Sequence, residues 1–328
     1  MWPLVCIVSS CGLAAILMMS GAGQSPFLQF AFIGSLAIFV ATRPSRIVLM
    51  VTAILGGALF VAHGGFSKLQ AVPSQSMIPL LAFLGAGSLI VGGAVRASHF
   101  NREYVAMLAL PALVLLTFAG FVLLPSDRIP SVDRYLYVAD RYFGEPSFAV
   151  GRIFAATPWL GSLCGLVYVG LPAAAAVIWA RLPQPSRVRF ASSMIVAGFI
   201  GFALYRVFPA AGPRYAFATF PLSPQWTNSQ LHRVILPGVR LNAMPSLHVV
   251  WTLLILRYGW ALGPVQRYGL VLFLVLTILA TLGSGEHYAV DLIAALPCAV
   301  FVDWFTSSAL KLEARWHPLR VRANSPGQ

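Results

Sequence analysis

Asn242-Ala243-Met244-Pro245-Ser246-Leu247-His248 ends a stretch rich in Pro and Gly and begins a long apolar run. About forty residues on, Gly285-Glu286-His287-Tyr288-Ala289-Val290-Asp291 does the same. Each histidine therefore stands at the mouth of an apolar helix. An ionisable side chain is costly to keep at a membrane-helix end, so it marks a functional site by default. Two histidines and an aspartate, at helix mouths facing the same side, predict one polar site at a membrane surface.

The rest of the chain agrees with a membrane reading. Apolar residues make up 59% of its 328 residues and charged residues 9%, against about 25% charged in soluble chains. The net charge of +13 raises nucleic acid as a partner. That partner is excluded, because Lys and Arg lie in short loops between apolar runs and form no continuous basic surface. Cys6, Cys11, Cys164 and Cys298 all fall inside apolar runs without metal-ligand spacing, and read as packing residues. Residues 3–20 have the length of a signal peptide, with Ala22-Gly23-Gln24 as the cleavage site. No Lys or Arg precedes them, so they read as an uncleaved first helix.

A spanning helix needs about 20 apolar residues. Ten stretches qualify, at about 3–20, 27–41, 47–63, 77–95, 104–124, 159–180, 190–208, 245–262, 266–283 and 288–308. Arg43-Pro44, Pro73 and Pro183-Gln184-Pro185 mark breaks between them. With both termini inside, the inner loops and tail hold 13 of the 22 basic residues and three of the nine acidic ones. The inner net charge is then +10 and the outer +3. This asymmetry predicts ten spans with both termini cytoplasmic, and puts His248 and His287 on the non-cytoplasmic face.

Two outer segments are long. In residues 125–158, Val132, Tyr135, Leu136, Ala139 and Phe143 recur at helical spacing among charges of alternating sign. The pattern predicts an amphipathic helix at the interface, either a connector or a lid over the site. Residues 209–244 are rich in Pro and Gly, with Trp226 as an interfacial anchor. The tail from Lys311 is basic and suits anionic head groups.

His287 and Asp291 are spaced i, i+4, so on one helix they share a face. A carboxylate there can accept Nδ1–H, fix the tautomer and free Nε2 as nucleophile or base. Pro245 suits a first helical turn, where no N–H partner is needed. Ser246 and the free N–H groups beside it suit an anion, and His248 shares that turn. Arg206 ends the seventh span, and Arg214 follows in Pro209-Ala210-Ala211-Gly212-Pro213-Arg214-Tyr215. Guanidinium groups bind phosphate bidentately. Two histidines, an aspartate, a serine at a helix start and two arginines describe a phosphate site.

These residues resemble the type 2 phosphatidic acid phosphatase superfamily of membrane lipid phosphatases and phosphotransferases. Its motifs are Lys-x6-Arg-Pro, Pro-Ser-Gly-His and Ser-Arg-x5-His-x3-Asp. Pro245-Ser246-Leu247-His248 matches the second, with Leu247 in place of Gly. His287 and Asp291 match the end of the third, whose Ser-Arg pair is replaced by Ala280-Thr281. The first is loose: Arg206 stands for the Lys, and Pro213-Arg214 reverses its ending. The wording Met-Pro-Ser-Leu-His and Gly-Glu-His-Tyr is closest to the inositol phosphorylceramide synthase branch.

The resemblance implies an all-α integral membrane protein. A six-helix catalytic core would cover 104–308, behind an added four-helix N-terminal bundle over 1–95 and ahead of a basic tail over 309–328. It also implies a double displacement without metal or cofactor. His287 attacks phosphorus, Asp291 orients it, and His248 serves the leaving and incoming oxygens. Arg206, Arg214 and Ser246 bind the phosphate. The substrate is a lipid phosphate or phosphodiester in the bilayer, and the acceptor is water or an alcohol. Two other classes compete. His248, His287 and Asp291 could ligate zinc in a metallohydrolase. A transporter or scramblase could reuse a degenerate form of the fold, although no inverted repeat is visible.

Overall fold

Interruptions of the apolar runs by Pro and Gly become the helix boundaries. A computed structural model describes residues 26–62, 73–97, 129–223 and 231–323. Among them the chain is helical, with no strand and one isolated bridge between Ser131 and Val234. In chain order the helices are α1 (Pro26–Ala41), α2 (Arg46–Ala62), α3 (Pro73–Ala97), α4 (Asp133–Tyr142), α5 (Pro146–Ala156) and α6 (Pro158–Val169). They continue as α7 (Leu171–Arg181), α8 (Gln184–Val207), α9 (Pro213–Ala216), α10 (Leu247–Gly259), α11 (Pro264–Gly283) and α12 (Ala289–Ala323). A 3₁₀ turn, Trp260–Leu262, prolongs α10. Pro146, Pro158, Pro213 and Pro264 each open a helix, where a missing N–H costs nothing.

The chain divides into two compact units, residues 1–120 with 169–181, and residues 121–168 with 182–328. In the first unit, α3 packs on α1 and α2, and α7 packs on α1. Ala31, Phe39, Ala86 and Leu89 are buried there. In the second, α10 packs against α8, α11 and α12, while α5 lies along α11. Val250, Leu254, Ile255 and Val302 are fully buried between these helices. At the end of α10 away from His248, Tyr258 donates to Asp303 at 2.8 Å, and Arg257 stands 3.6 Å from the same carboxylate.

Among the described residues, four helices are long and apolar enough to cross a membrane: Ile78–Val95, Ser186–Val207, Pro264–Gly283 and Ala289–Ala309. A fifth span results if α5 and α6, bent by 118°, count as one. The apolar helices α1, α2, α7 and α10 are shorter. The outward faces suit lipid. Val300 and Trp304 on α12 are 63% and 62% exposed, beside exposed Ile293, Leu296 and Phe301. Such a stripe would be an aggregation hazard in water, whereas acyl chains solvate it. The expected spans at 3–20 and 104–124, and Trp226, lie outside the described residues.

Two local expectations are corrected. The predicted single span 159–180 is two helices, because Pro172 has no N–H to carry the ladder past Gly170. The predicted apolar stripe on the interfacial helix divides, with Val132 and Leu136 packed in the core. Tyr135 and Phe143 are exposed, whereas the buried face of α4 is Asp133, Leu136, Tyr137 and Asp140. Two carboxylates enter the interior because backbone donors from the site loops fill their lone pairs, which is the condition for burying such groups.

Candidate active site

His287 is buried in the link between α11 and α12. Its Nδ1 lies 2.8 Å from the Ala243 carbonyl oxygen and 3.5 Å from Oδ2 of Asp291. A carbonyl only accepts, so Nδ1 carries the hydrogen and the neutral ring keeps Nε2 bare. The expected partner, Asp291, stays paired with the ring at the longer distance, while Ala243 takes the shorter bond. The reason is local: α12 begins at Ala289, so His287 precedes the helix and the shared-face spacing does not apply. Asp291 instead reaches back one turn to accept the Tyr288 N–H at 2.8 Å, half of a capping box. Its Oδ1 is buried without a partner among the described residues.

The second histidine motif meets the first through the backbone. Ser246 N–H donates to the Asp291 carbonyl at 3.2 Å, and Ala243 N–H to the Ala210 carbonyl at 2.8 Å. Ser246 caps α10, and its Oγ is buried with no partner among the described residues. Pro245, expected in the first turn, stands just before the cap after a cis bond. His248 follows within the first turn. Its ring stacks on Tyr168, with centroids 3.7 Å apart and planes 16° apart, and meets Trp251 edge-on at 6.2 Å. The two imidazoles are near enough to interact electrostatically. The starts of α10 and α12, and their positive dipole ends, thus converge beside both histidines.

Arg214 reaches the site by an interlock. Arg214 N–H donates to the Gly285 carbonyl at 3.0 Å. Gly212 has φ +97°, and a Cβ there would sit 2.3 Å from the Glu286 carbonyl oxygen. Gly285 has φ +73°, and its Cβ would stand 2.8 Å from that of Arg214. Only glycine permits both the angles and the approach. The Arg214 guanidinium is exposed at 6.0 Å from the Tyr215 ring centre. Arg206 is exposed in the last turn of α8, and among the described residues no hydrogen bond or ion pair ties it to either histidine. Its buried neighbour Tyr205 is the residue that enters, with its hydroxyl at the Leu247 N–H and near Asp291.

Several contributors were not anticipated. Asp133 accepts Ala211 N–H and Gly212 N–H, each at 2.8 Å, the Tyr288 hydroxyl at 3.0 Å, and the Ser131 hydroxyl. Asp140 accepts Ala289 N–H at 2.7 Å and the Ser147 hydroxyl at 3.1 Å. One face of α4 thus clamps the Arg214 loop and the start of α12. Burial pushes both carboxyls up from their ordinary value, and the hydrogen bonds pull them partly back. Their i, i+7 spacing on a helix was the available signal. Leu136, Tyr137, Phe148, Phe217 and Tyr288 form the apolar floor under this clamp. Arg240, on the 231–244 segment, acts with Arg214 on the Tyr215 hydroxyl. No cation comes from the Ala280-Thr281 position, where both residues are buried in α11. Among the described residues, no group of three or more His, Cys, Asp or Glu is placed to hold a metal ion.

The helices and site define an all-helical protein with membrane-length apolar segments and a two-histidine centre at paired helix starts. A family model described as the PAP2 superfamily matches residues 134–305, more than half of the chain, and the chain belongs to that superfamily. The matched residues run from α4 into α12 and include every candidate site residue except Asp133. Membership brings a phosphatase-type function. No curated protein and no solved structure matches the chain.

Proposed function

We propose that the chain is a membrane-embedded phosphoryl-transfer enzyme acting on a lipid phosphate or phosphodiester through a phosphohistidine at His287. The observation that carries this reading is the Nδ1–H of His287 held by the Ala243 carbonyl, which leaves Nε2 bare beside His248. Nε2 attacks phosphorus, a P–N bond forms, and the ester P–O bond breaks as His248 gives its proton to the departing oxygen. His248 then takes the proton of the acceptor hydroxyl. The acceptor oxygen attacks phosphorus and the P–N bond breaks, restoring His287. Asp291, at 3.5 Å, steadies the positive charge on the ring.

Arg214, the Ser246 hydroxyl and the two helix starts bind the phosphate oxygens. Arg214 carries this role better than Arg206, because its backbone is bonded to the loop bearing His287. The missing motif arginine and the branch-like wording of both histidine motifs favour head-group transfer to an alcohol over hydrolysis of a monoester. The bilayer is both solvent and substrate store. The reading keeps a multi-pass chain with cytoplasmic termini and an outward-facing site. Lipid phosphates and phosphodiesters, offered to the purified protein with and without alcohol acceptors, should yield free phosphate or new lipid in the presence of a chelator. Acid-labile, base-stable label should collect on His287. Turnover surviving His287→Gln would overturn the reading.

A further inference from the structure

We propose that Glu286 sorts substrates by charge at the mouth of the site, disfavouring dianionic phosphate monoesters and admitting monoanionic phosphodiesters. This rests on the phosphoryl-transfer reading above and adds its substrate class. Glu286 directly precedes the nucleophile, and its backbone is set by Gly212 packed against its carbonyl. Its side chain is held too: the Tyr215 hydroxyl donates to Oε1 at 3.0 Å. Burial first, then the Glu286 carboxylate, push that phenol up from its ordinary value, so it stays protonated and continues to donate.

The carboxylate also acts electrostatically on the residue stacked on the second histidine. Tyr168, whose ring lies on His248, sits within the field of Glu286. A negative group held by Tyr215 thus stands next in the chain to the nucleophile and within electrostatic reach of the stack that holds its partner. The cations nearby are Arg214 and Arg240. The position where the superfamily motif places another arginine holds the buried, uncharged Ala280-Thr281 pair. A pocket built for a dianion gains from every positive group and loses from a carboxylate beside it. One more negative charge on the substrate therefore costs more here than a neutral ester substituent does.

The test uses the full chain in detergent micelles and a matched pair of substrates. One is a diacylglycerol phosphate monoester. The other is the phosphodiester of the same acyl chains with an uncharged head group. Glu286→Gln should raise the monoester-to-diester ratio of kcat/KM at least about tenfold. Glu286→Asp, which keeps the charge, should leave the ratio near that of the parent. Tyr215→Phe, which frees the carboxylate, should move it less than Glu286→Gln. A ratio unmoved in Glu286→Gln, or moved equally in Glu286→Asp, overturns the charge assignment while leaving phosphoryl transfer standing. A parent protein inactive on both substrates overturns the phosphoryl-transfer reading and this proposal with it.

Discussion

The Ala243 carbonyl, at 2.8 Å, takes the Nδ1–H of His287, while the Asp291 carboxylate waits at 3.5 Å. The segment before one histidine therefore orients the ring of the other. Asp291 is left with a structural bond to Tyr288 N–H and an electrostatic role toward the imidazole.

Asp291→Asn should consequently be tolerated better than in a site where the carboxylate fixes the tautomer. The amide oxygen can still accept the Tyr288 N–H, and Ala243 still holds Nδ1. A fall in kcat of about 10- to 100-fold is expected, as for supporting groups around a reactive histidine. Steady-state kinetics on the preferred substrate decide it. A loss of about ten-thousandfold would return tautomer control to Asp291.

Arg214→Ala should lower kcat/KM by about a hundredfold or more, since it removes a donor aimed at developing charge. Arg206→Ala should cost far less. Circular dichroism and gel filtration of both variants separate this from misfolding. Equal losses would bring Arg206 back into the site.

Tyr168 sets His248 by stacking. Tyr168→Phe keeps the ring and should retain most activity. Tyr168→Leu removes it and should lower kcat by about three- to tenfold, the worth of one aromatic pair. The two variants behaving alike would assign the effect to bulk or to the hydroxyl.

Asp133 and Asp140 make stability depend on pH. Their carboxyls are raised by burial above the ordinary value of 3.8, so the folded protein holds these protons more firmly than the unfolded chain. Their contribution is then full below that ordinary value and is lost as pH rises through the folded values. Asp140→Asn removes its share of this dependence. In thermal unfolding, the parent's stability relative to the variant should be greatest at the acid end and decline toward neutrality. An advantage that grows with pH would contradict the direction.

Membrane character, the positions of the apolar runs and both histidine motifs were legible because they depend on composition and local order. Pro73 and Pro183-Gln184-Pro185, read as breaks between apolar runs, stand where α3 and α8 begin. The face of α4 was not legible. Periodicity chose Tyr135 and Phe143, whereas Asp133 and Asp140 are buried by backbone donors over seventy residues away in the chain. Side-chain polarity says nothing of such distant partners.

Sequence alone determined which residue types could do phosphate chemistry: His248, His287, Asp291, Ser246 and the arginines. Only the tertiary structure decided their parts. It put Ala243 on the Nδ1 of His287, Tyr168 on the face of His248, and Arg214 rather than Arg206 on the loop that carries His287. The physical reason is that spacing in the chain constrains contacts only inside a continuous helix. His287 lies just outside α12, so its partners come from long-range backbone bonds that no local pattern encodes.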